Sequence, residues 1–151
     1  MAVTSHVYPK AVKAILDKTM DLATDSFVAV LYTSSAATWG STQEGYQYSS
    51  DLISAYTECA DSGYSRQSLT SLSVTVSGAK VIFTCGSPIS FGSDVTITAA
   101  AMGIIDESIG SADASWPALC IIDFGENVSS TDGTWEYTVD GTNGLAYFTS
   151  S

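Results

Sequence analysis

Residues 116–148 constrain the fold of this chain more than any other part of the sequence. Residues 119–122 form a run that is apolar on both faces, as in a strand buried inside a sheet. Farther along, Trp135, Tyr137 and Val139 alternate with polar residues, which is typical of a half-buried strand. The two patterns together predict a central strand and a hairpin neighbour.

Other segments repeat these β patterns. Residues 27–32 are an apolar β-rich run, and residues 72–77 and 80–85 flank Gly78-Ala79 as the two arms of a hairpin. Residues 95–105 predict a long strand with Gly103 at a bulge or close approach, and a last strand covers residues 145–149. The sequence therefore predicts a mainly β fold, an antiparallel β-sandwich or partly closed β-barrel of about seven or eight strands.

The N-terminal region is the exception to the β pattern. Apolar residues at helical spacing predict one short helix from Pro9 to Leu22. At 151 residues the chain has the size of one domain, so residues 1–151 are interpreted as a single β-rich unit. Nothing in residues 2–7 predicts attachment to that unit, so an alternative is that residues 1–9 form an extended arm that reaches a neighbouring molecule, with Tyr8 as its candidate contact residue.

The charge balance excludes some classes of partner. Sixteen acidic residues oppose five basic residues, which gives a net charge of -11. Phosphate binding usually needs about 6 to 10 clustered bases, so neither nucleic acid nor an anionic membrane is an expected partner. No run approaches the roughly 20 apolar residues of a membrane span, and the first residues lack a signal-peptide pattern, which predicts synthesis in a cytoplasm.

The sequence contains few groups suited to catalysis. His6 is the sole histidine, which argues against Ser-His-Asp, Cys-His and most zinc sites. The three cysteines are expected to be reduced core residues, and acids such as Asp106 and Asp123 are expected to lie on the surface. We therefore expect no enzymatic activity, no cofactor and no metal.

The segment from Thr33 to Ser50 is long, polar and unusually aromatic. It carries Trp39, Tyr46 and Tyr48, and a loop of this length is usually functional or disordered. Two interpretations remain open. The rings either contact another protein, together with Tyr8 of the arm, or cap the open end of the core.

Several short segments follow one another in a characteristic order along the chain. They are Ser5-His6-Val7-Tyr8 before the helix, Phe27-Val28-Ala29-Val30-Leu31, Ser62-Gly63-Tyr64, residues 99–105, Ile121-Ile122-Asp123-Phe124-Gly125 and Gly133-Thr134-Trp135. This order resembles that of a group of small virion proteins of tailed bacteriophages, and the class that best fits the size and composition is the capsid decoration, or cement, protein. The resemblance implies a location in the virion, the major capsid protein as a partner, and a homo-oligomer, with a trimer as the expected assembly.

Two alternatives to a decoration protein remain. A tail or neck component, such as a tube, terminator or baseplate-associated subunit, fits the same resemblance. A carbohydrate-binding module is the second, since Trp39, Trp116 and Trp135 can in principle stack on sugars. The positions of these rings separate the module from the structural roles.

Overall fold

A computed structural model of the protein describes residues 3–149. Its helices are α1 (Pro9–Leu16), α2 (Ser41–Glu44) and α3 (Ser49–Tyr56). Its strands are β1 (Thr4–Val7), β2 (Phe27–Tyr32), β3 (Gln67–Ser68), β4 (Ser73–Ser77), β5 (Lys80–Thr84), β6 (Ile89–Asp106), β7 (Ala118–Tyr137) and β8 (Ala146–Thr149).

The strands form two antiparallel sheets. The larger sheet has five strands in the order β1-β7-β6-β2-β3, and the smaller has three in the order β4-β5-β8. The prediction of a mainly β protein of the sandwich type is confirmed. The hairpin of β4 and β5, joined by Gly78 and Ala79, is also confirmed.

The five-stranded sheet is covered on both faces. Every residue of β2 is buried, as its continuous apolar run predicts. Phe27 contacts Phe83 of the three-stranded sheet, with ring centroids 5.3 Å apart. Tyr32 contacts Tyr56 of α3 at 6.0 Å. Because residues 27 and 32 point to opposite faces of the strand, the small sheet covers one face and the helical region covers the other.

The pairing of β6 with β7 corrects the prediction for residues 116–139. We expected a central strand and a separate hairpin neighbour, whereas residues 118–137 form one strand that follows β6 along its length. Register shifts interrupt the ladder, and Gly125 and Asp132 have φ angles of 77° and 46° within β7. These irregularities bend a single strand where the sequence pattern indicated a turn.

The prediction of an extended arm is wrong for the described part of residues 1–9. Strand β1 pairs with β7, Tyr8 is fully buried, and its N–H donates to the carbonyl of Leu119 at 3.0 Å. Residues 1 and 2 lie outside the described residues. The open edge of β7 satisfies the backbone groups of β1, and this is a long-range contact that the local sequence does not indicate.

The helical regions also differ from the prediction. Helix α1 ends at Leu16, six residues before the predicted end, and Lys18 has a φ of 60° just beyond it. The segment from Thr33 to Ser50, which was predicted as a loop, contains α2 and the start of α3. Gly103 is a close-approach point, as predicted, because an added Cβ would lie 2.8 Å from the Tyr32 ring. None of the helices within residues 3–149 is long and apolar enough to cross a membrane.

Candidate contact site

An aromatic patch lies where β1 meets the segment after β2. We define it as His6, Trp39 and Tyr46, all half-buried. The rings of His6 and Trp39 are stacked, with centroids 4.3 Å apart and planes 8° apart. Tyr8 lies beneath them, at 5.4 Å from Trp39 and 6.3 Å from Tyr46. The patch is therefore the outer end of an aromatic cluster that continues into the core.

The buried carboxylate of Asp123 holds the segment that carries Trp39. The side chain is 3% exposed, and its Oδ1 accepts hydrogen bonds of 2.8 Å from both the Ser35 hydroxyl and the Ala36 N–H. Its Oδ2 accepts from the N–H of Gly125 at 3.1 Å. Three donors satisfy a charge that would otherwise be costly to bury. Asp123 was expected on the surface, and that expectation is wrong because β7 carries it into the sheet.

The predicted contact residues fall into three environments. Tyr8 is buried and is not available to a partner, which corrects its assignment to a contact arm. Trp39 and Tyr46 are half-buried and pack against the core, so they cover its end while keeping part of each ring exposed. The two interpretations of these rings are therefore compatible.

Tyr48 lies apart from the aromatic patch, at the start of α3. It is the residue that caps this helix, and the carboxylate of Asp51 accepts hydrogen bonds from the N–H groups of Gln47 and Tyr48. The Tyr48 hydroxyl accepts from the side-chain amide of Gln47 at 2.9 Å. The local geometry thus gives Tyr48 a role in starting a helix.

The electrostatics of the patch favour an uncharged surface. Burial lowers the pKa of His6, against the opposing charge of Asp123, so the imidazole is neutral at neutral pH. Burial also raises the pKa of Tyr8 and keeps its phenol protonated. A neutral ring surface of this kind is suited to apolar contact and stacking.

A network around Arg66, the sole arginine of the sequence, was missed in the sequence analysis. Its guanidinium binds Glu58 through contacts of 2.8 and 2.6 Å and Asp113 through contacts of 2.8 and 3.2 Å. Tyr64 and Ser49 donate to the same two carboxylates. The hydrogen bonds that Arg66 donates to Glu58 raise the pKa of its guanidinium, which stays charged. This network ties two connecting segments, residues 57–66 and 107–117, to the start of α3.

Asp106 is a second buried acid, and its expected surface position is also wrong. It is fully buried at the end of β6, and its Oδ1 accepts from the N–H of Ser108 at 2.9 Å. Burial raises its pKa to about 6, with a further contribution from the negative charge of Asp25, against the opposing hydrogen bond from Ser108. Asp106 therefore titrates closer to neutral pH than an ordinary carboxyl group.

The three cysteines are buried and free, which confirms the expectation that they are reduced core residues. Burial raises the pKa of Cys120 to about 12 and that of Cys85 to about 11. Thiols with such high pKa values are protonated at neutral pH and are poor nucleophiles. Within residues 3–149, no group of three or more histidine, cysteine or acidic side chains is arranged to hold a metal ion.

The tryptophans do not form a common sugar-binding platform. Trp135 is 3% exposed, and Trp116 lies beneath the guanidinium of Arg66 at 5.9 Å. A cleft of about 540 Å³ does lie elsewhere, between the edges of β1 and β8. Its lining combines Tyr137 and Tyr147 with the polar turn at Asp140 and Asn143, and it includes no tryptophan.

Comparisons with protein-family models, with curated proteins and with solved structures found no match to this chain. The proposed function therefore rests on the geometry of the described residues and on the resemblance of the sequence to small virion proteins of tailed bacteriophages.

Proposed function

We propose that this protein is a non-enzymatic structural protein of a tailed-bacteriophage virion, and that it is a decoration protein on the outer surface of the major capsid shell. The resemblance of the sequence motivates the class. One observation supports the proposed location of the attachment surface. The rings of His6 and Trp39 are stacked and form a half-buried aromatic surface at the edge of the five-stranded sheet.

The position of Trp39 suits an interface anchor. Interface energy is concentrated in a few aromatic or arginine side chains surrounded by polar residues that exclude water. Trp39 is braced by His6 and Tyr8, and the exposed residues around it are small and polar, such as Thr38 and Ser41. A braced ring loses little conformational entropy on binding. Many copies on one shell would then supply avidity to a small individual contact.

The first test of the class is the copy number of the protein in purified virions of its source, measured by quantitative mass spectrometry against the major capsid protein. A decoration protein is expected at a ratio near that of the shell subunit. A few copies to a few dozen per particle would instead support the tail or neck alternative. Complete absence from virions would contradict both.

The test of the attachment surface is binding of purified variants to shells that lack the protein. Trp39→Ala is expected to weaken binding by at least about tenfold, since hot-spot aromatics contribute about 2 kcal/mol or more. Tyr147→Ala is the matched control, because Tyr147 is an exposed aromatic residue, 41% accessible, on the three-stranded sheet. Equal binding by Trp39→Ala and wild type, with the fold confirmed by circular dichroism, would exclude the patch as the attachment surface.

A further inference from the structure

We propose that two copies of this chain associate through β4, whose free edge pairs with the same strand of a second copy about a two-fold axis. Among the described residues β4 pairs with β5 alone and forms one edge of the three-stranded sheet. The proposal is independent of the virion role, because it rests on the geometry of this edge.

The sequence of β4 is self-complementary. Residues 73–77 read Ser-Val-Thr-Val-Ser, which is the same in both directions. In an antiparallel pair centred on Thr75, Thr75 therefore faces Thr75, Val74 faces Val76, and serine faces serine. Threonine pairs and pairs of β-branched residues are favourable cross-strand neighbours.

The unpaired backbone N–H and C=O groups of β4 lie at the positions that this antiparallel pairing requires. Ser77 and Lys80 close the two-residue turn of the hairpin, so Ser77, Thr75 and Ser73 direct their backbone groups toward β5. Val74 and Val76 consequently direct their N–H and C=O groups to the free edge. In the proposed pair each of these valines exchanges both backbone hydrogen bonds with its counterpart, and Thr75 lies in the close, non-hydrogen-bonded position.

The exposed side chains of this region gain burial from the pairing. Val76 is 76% exposed and Val74 is 42% exposed, on the same side of the sheet as the buried Phe83. Pairing places the four valines of the two copies side by side and extends the apolar face across the two-fold axis. Natural edge strands are usually protected by charge, proline or a bulge, and residues 73–77 have none of these.

Charge also selects this edge for a second copy. The chain carries a net charge of -11, yet it has no acidic residue between Asp61 and Asp94, and β8 has none either. Lys80 is the one charged residue of the three-stranded sheet. Two copies therefore meet here with less like-charge repulsion than an approach through the acidic remainder of the chain would give. Added salt should strengthen the association, because it screens the repulsion between the acidic residues of the two copies.

A contact of five residues per strand is small beside the roughly 20 to 30 residues per side of a standard interface. We therefore expect a monomer–dimer equilibrium that depends on protein concentration, measured by analytical ultracentrifugation of the full chain at low and high salt. Val76→Lys should weaken dimerisation by at least about tenfold, because it places positive charges near one another at the edge. Val128→Lys, at a valine that is 38% exposed on β7, is the matched control and should leave dimerisation unchanged.

Cysteine cross-linking tests the register. Cα atoms in a non-hydrogen-bonded antiparallel pair lie about 4.5 Å apart, within disulfide range, so Thr75→Cys should give an oxidised dimer. Ser77→Cys should not, because its counterpart in the second copy would lie about four residues away, roughly 13 Å. The native cysteines are buried, which limits background cross-linking. A mixture of Ser73→Cys and Ser77→Cys proteins should cross-link to each other.

Four results would overturn the proposal. The first three are a monomeric mass at every concentration and salt concentration, equal cross-linking by Thr75→Cys and Ser77→Cys, and equal weakening by the lysine substitutions at Val76 and Val128. A trimeric mass insensitive to Val76→Lys would also overturn it and would support the assembly expected from the resemblance. Circular dichroism of each variant verifies that the comparison is made between folded proteins.

Discussion

The two sheets are built from similar β-branched and aromatic residues, yet they differ in how completely they are covered. In the five-stranded sheet, all residues of β2 are at most 4% exposed. In the three-stranded sheet, Val76 and Val81 are 76% and 39% exposed. The difference shows that apolar strand sequence does not decide burial by itself. The layers packed on each face decide it.

The polar groups of the two sheets differ in the same way. The five-stranded sheet contains buried acids, and one of them, Asp123, fixes the connecting segment over its outer face. The three-stranded sheet has no acidic residue, and within residues 3–149 its outer strand β4 pairs on one side alone. One sheet is thus the rigid body that positions the aromatic patch, while the other exposes backbone and valine side chains for association.

The largest effect expected from this comparison is on the polar anchor of the five-stranded sheet. Asp123→Ala removes the acceptor of three hydrogen bonds and leaves the donors of Ser35, Ala36 and Gly125 without it. We expect the free energy of unfolding, measured by urea denaturation, to fall by about 3 kcal/mol. The tryptophan fluorescence should also shift toward that of exposed rings, because the segment that Asp123 holds carries Trp39, one of the three tryptophans.

Asp123→Asn is the graded control for this prediction. The amide oxygen still accepts from Ser35 and Ala36, while the amide nitrogen cannot accept from Gly125, so a loss of about half as much is expected. A stability within about 0.5 kcal/mol of wild type for Asp123→Ala would show that these hydrogen bonds do not hold the segment.

The second prediction applies one substitution to both sheets. Val30→Thr places a hydroxyl in a fully buried position of β2 and should reduce the free energy of unfolding by about 2 kcal/mol. Val76→Thr, at a mostly exposed position, should change it by less than about 0.5 kcal/mol. Urea denaturation of dilute protein gives both values. Equal losses would mean that the three-stranded sheet is covered in solution even at low concentration.

The parts of the fold that sequence predicted are those with a local pattern. The continuous apolar run of β2, the strict alternation of β4 and the two-residue turn after it each identify an element without reference to the rest of the chain. Strand β1 was missed because its four residues become a strand only through pairing with β7, more than a hundred residues away. The bend within β7 was interpreted as a turn for the same reason, since β6 is what keeps the strand continuous.

The candidate site was predictable to a similar extent. An aromatic-rich segment pointed to Trp39 and Tyr46, which do lie at the end of the core. Their neighbour His6 and their anchor Asp123 come from distant positions, and only the pairing of β1 with β7 brings them near. The sequence offered one indication that Arg66 forms a network. It is the sole arginine of an acidic chain, and such a residue usually binds more than one carboxylate.

Asp106 gives the smallest expected effect and sharpens the contrast with Asp123, since it is equally buried but lies beside the acid Asp25. Its pKa is raised to about 6 from an ordinary value near 4, so the folded state binds a proton that the unfolded state releases between about pH 4 and 6. The bound proton therefore contributes to the stability of the folded state below pH 4, and this contribution is lost as the pH rises to about 6. Asp106→Asn, which mimics the protonated acid, should remove this dependence and raise the free energy of unfolding at pH 7 by about 1 kcal/mol. Urea denaturation of wild type and Asp106→Asn between pH 4 and 7 gives the free energy of unfolding of each protein. Parallel profiles of this free energy against pH would show that Asp106 does not bind the linked proton.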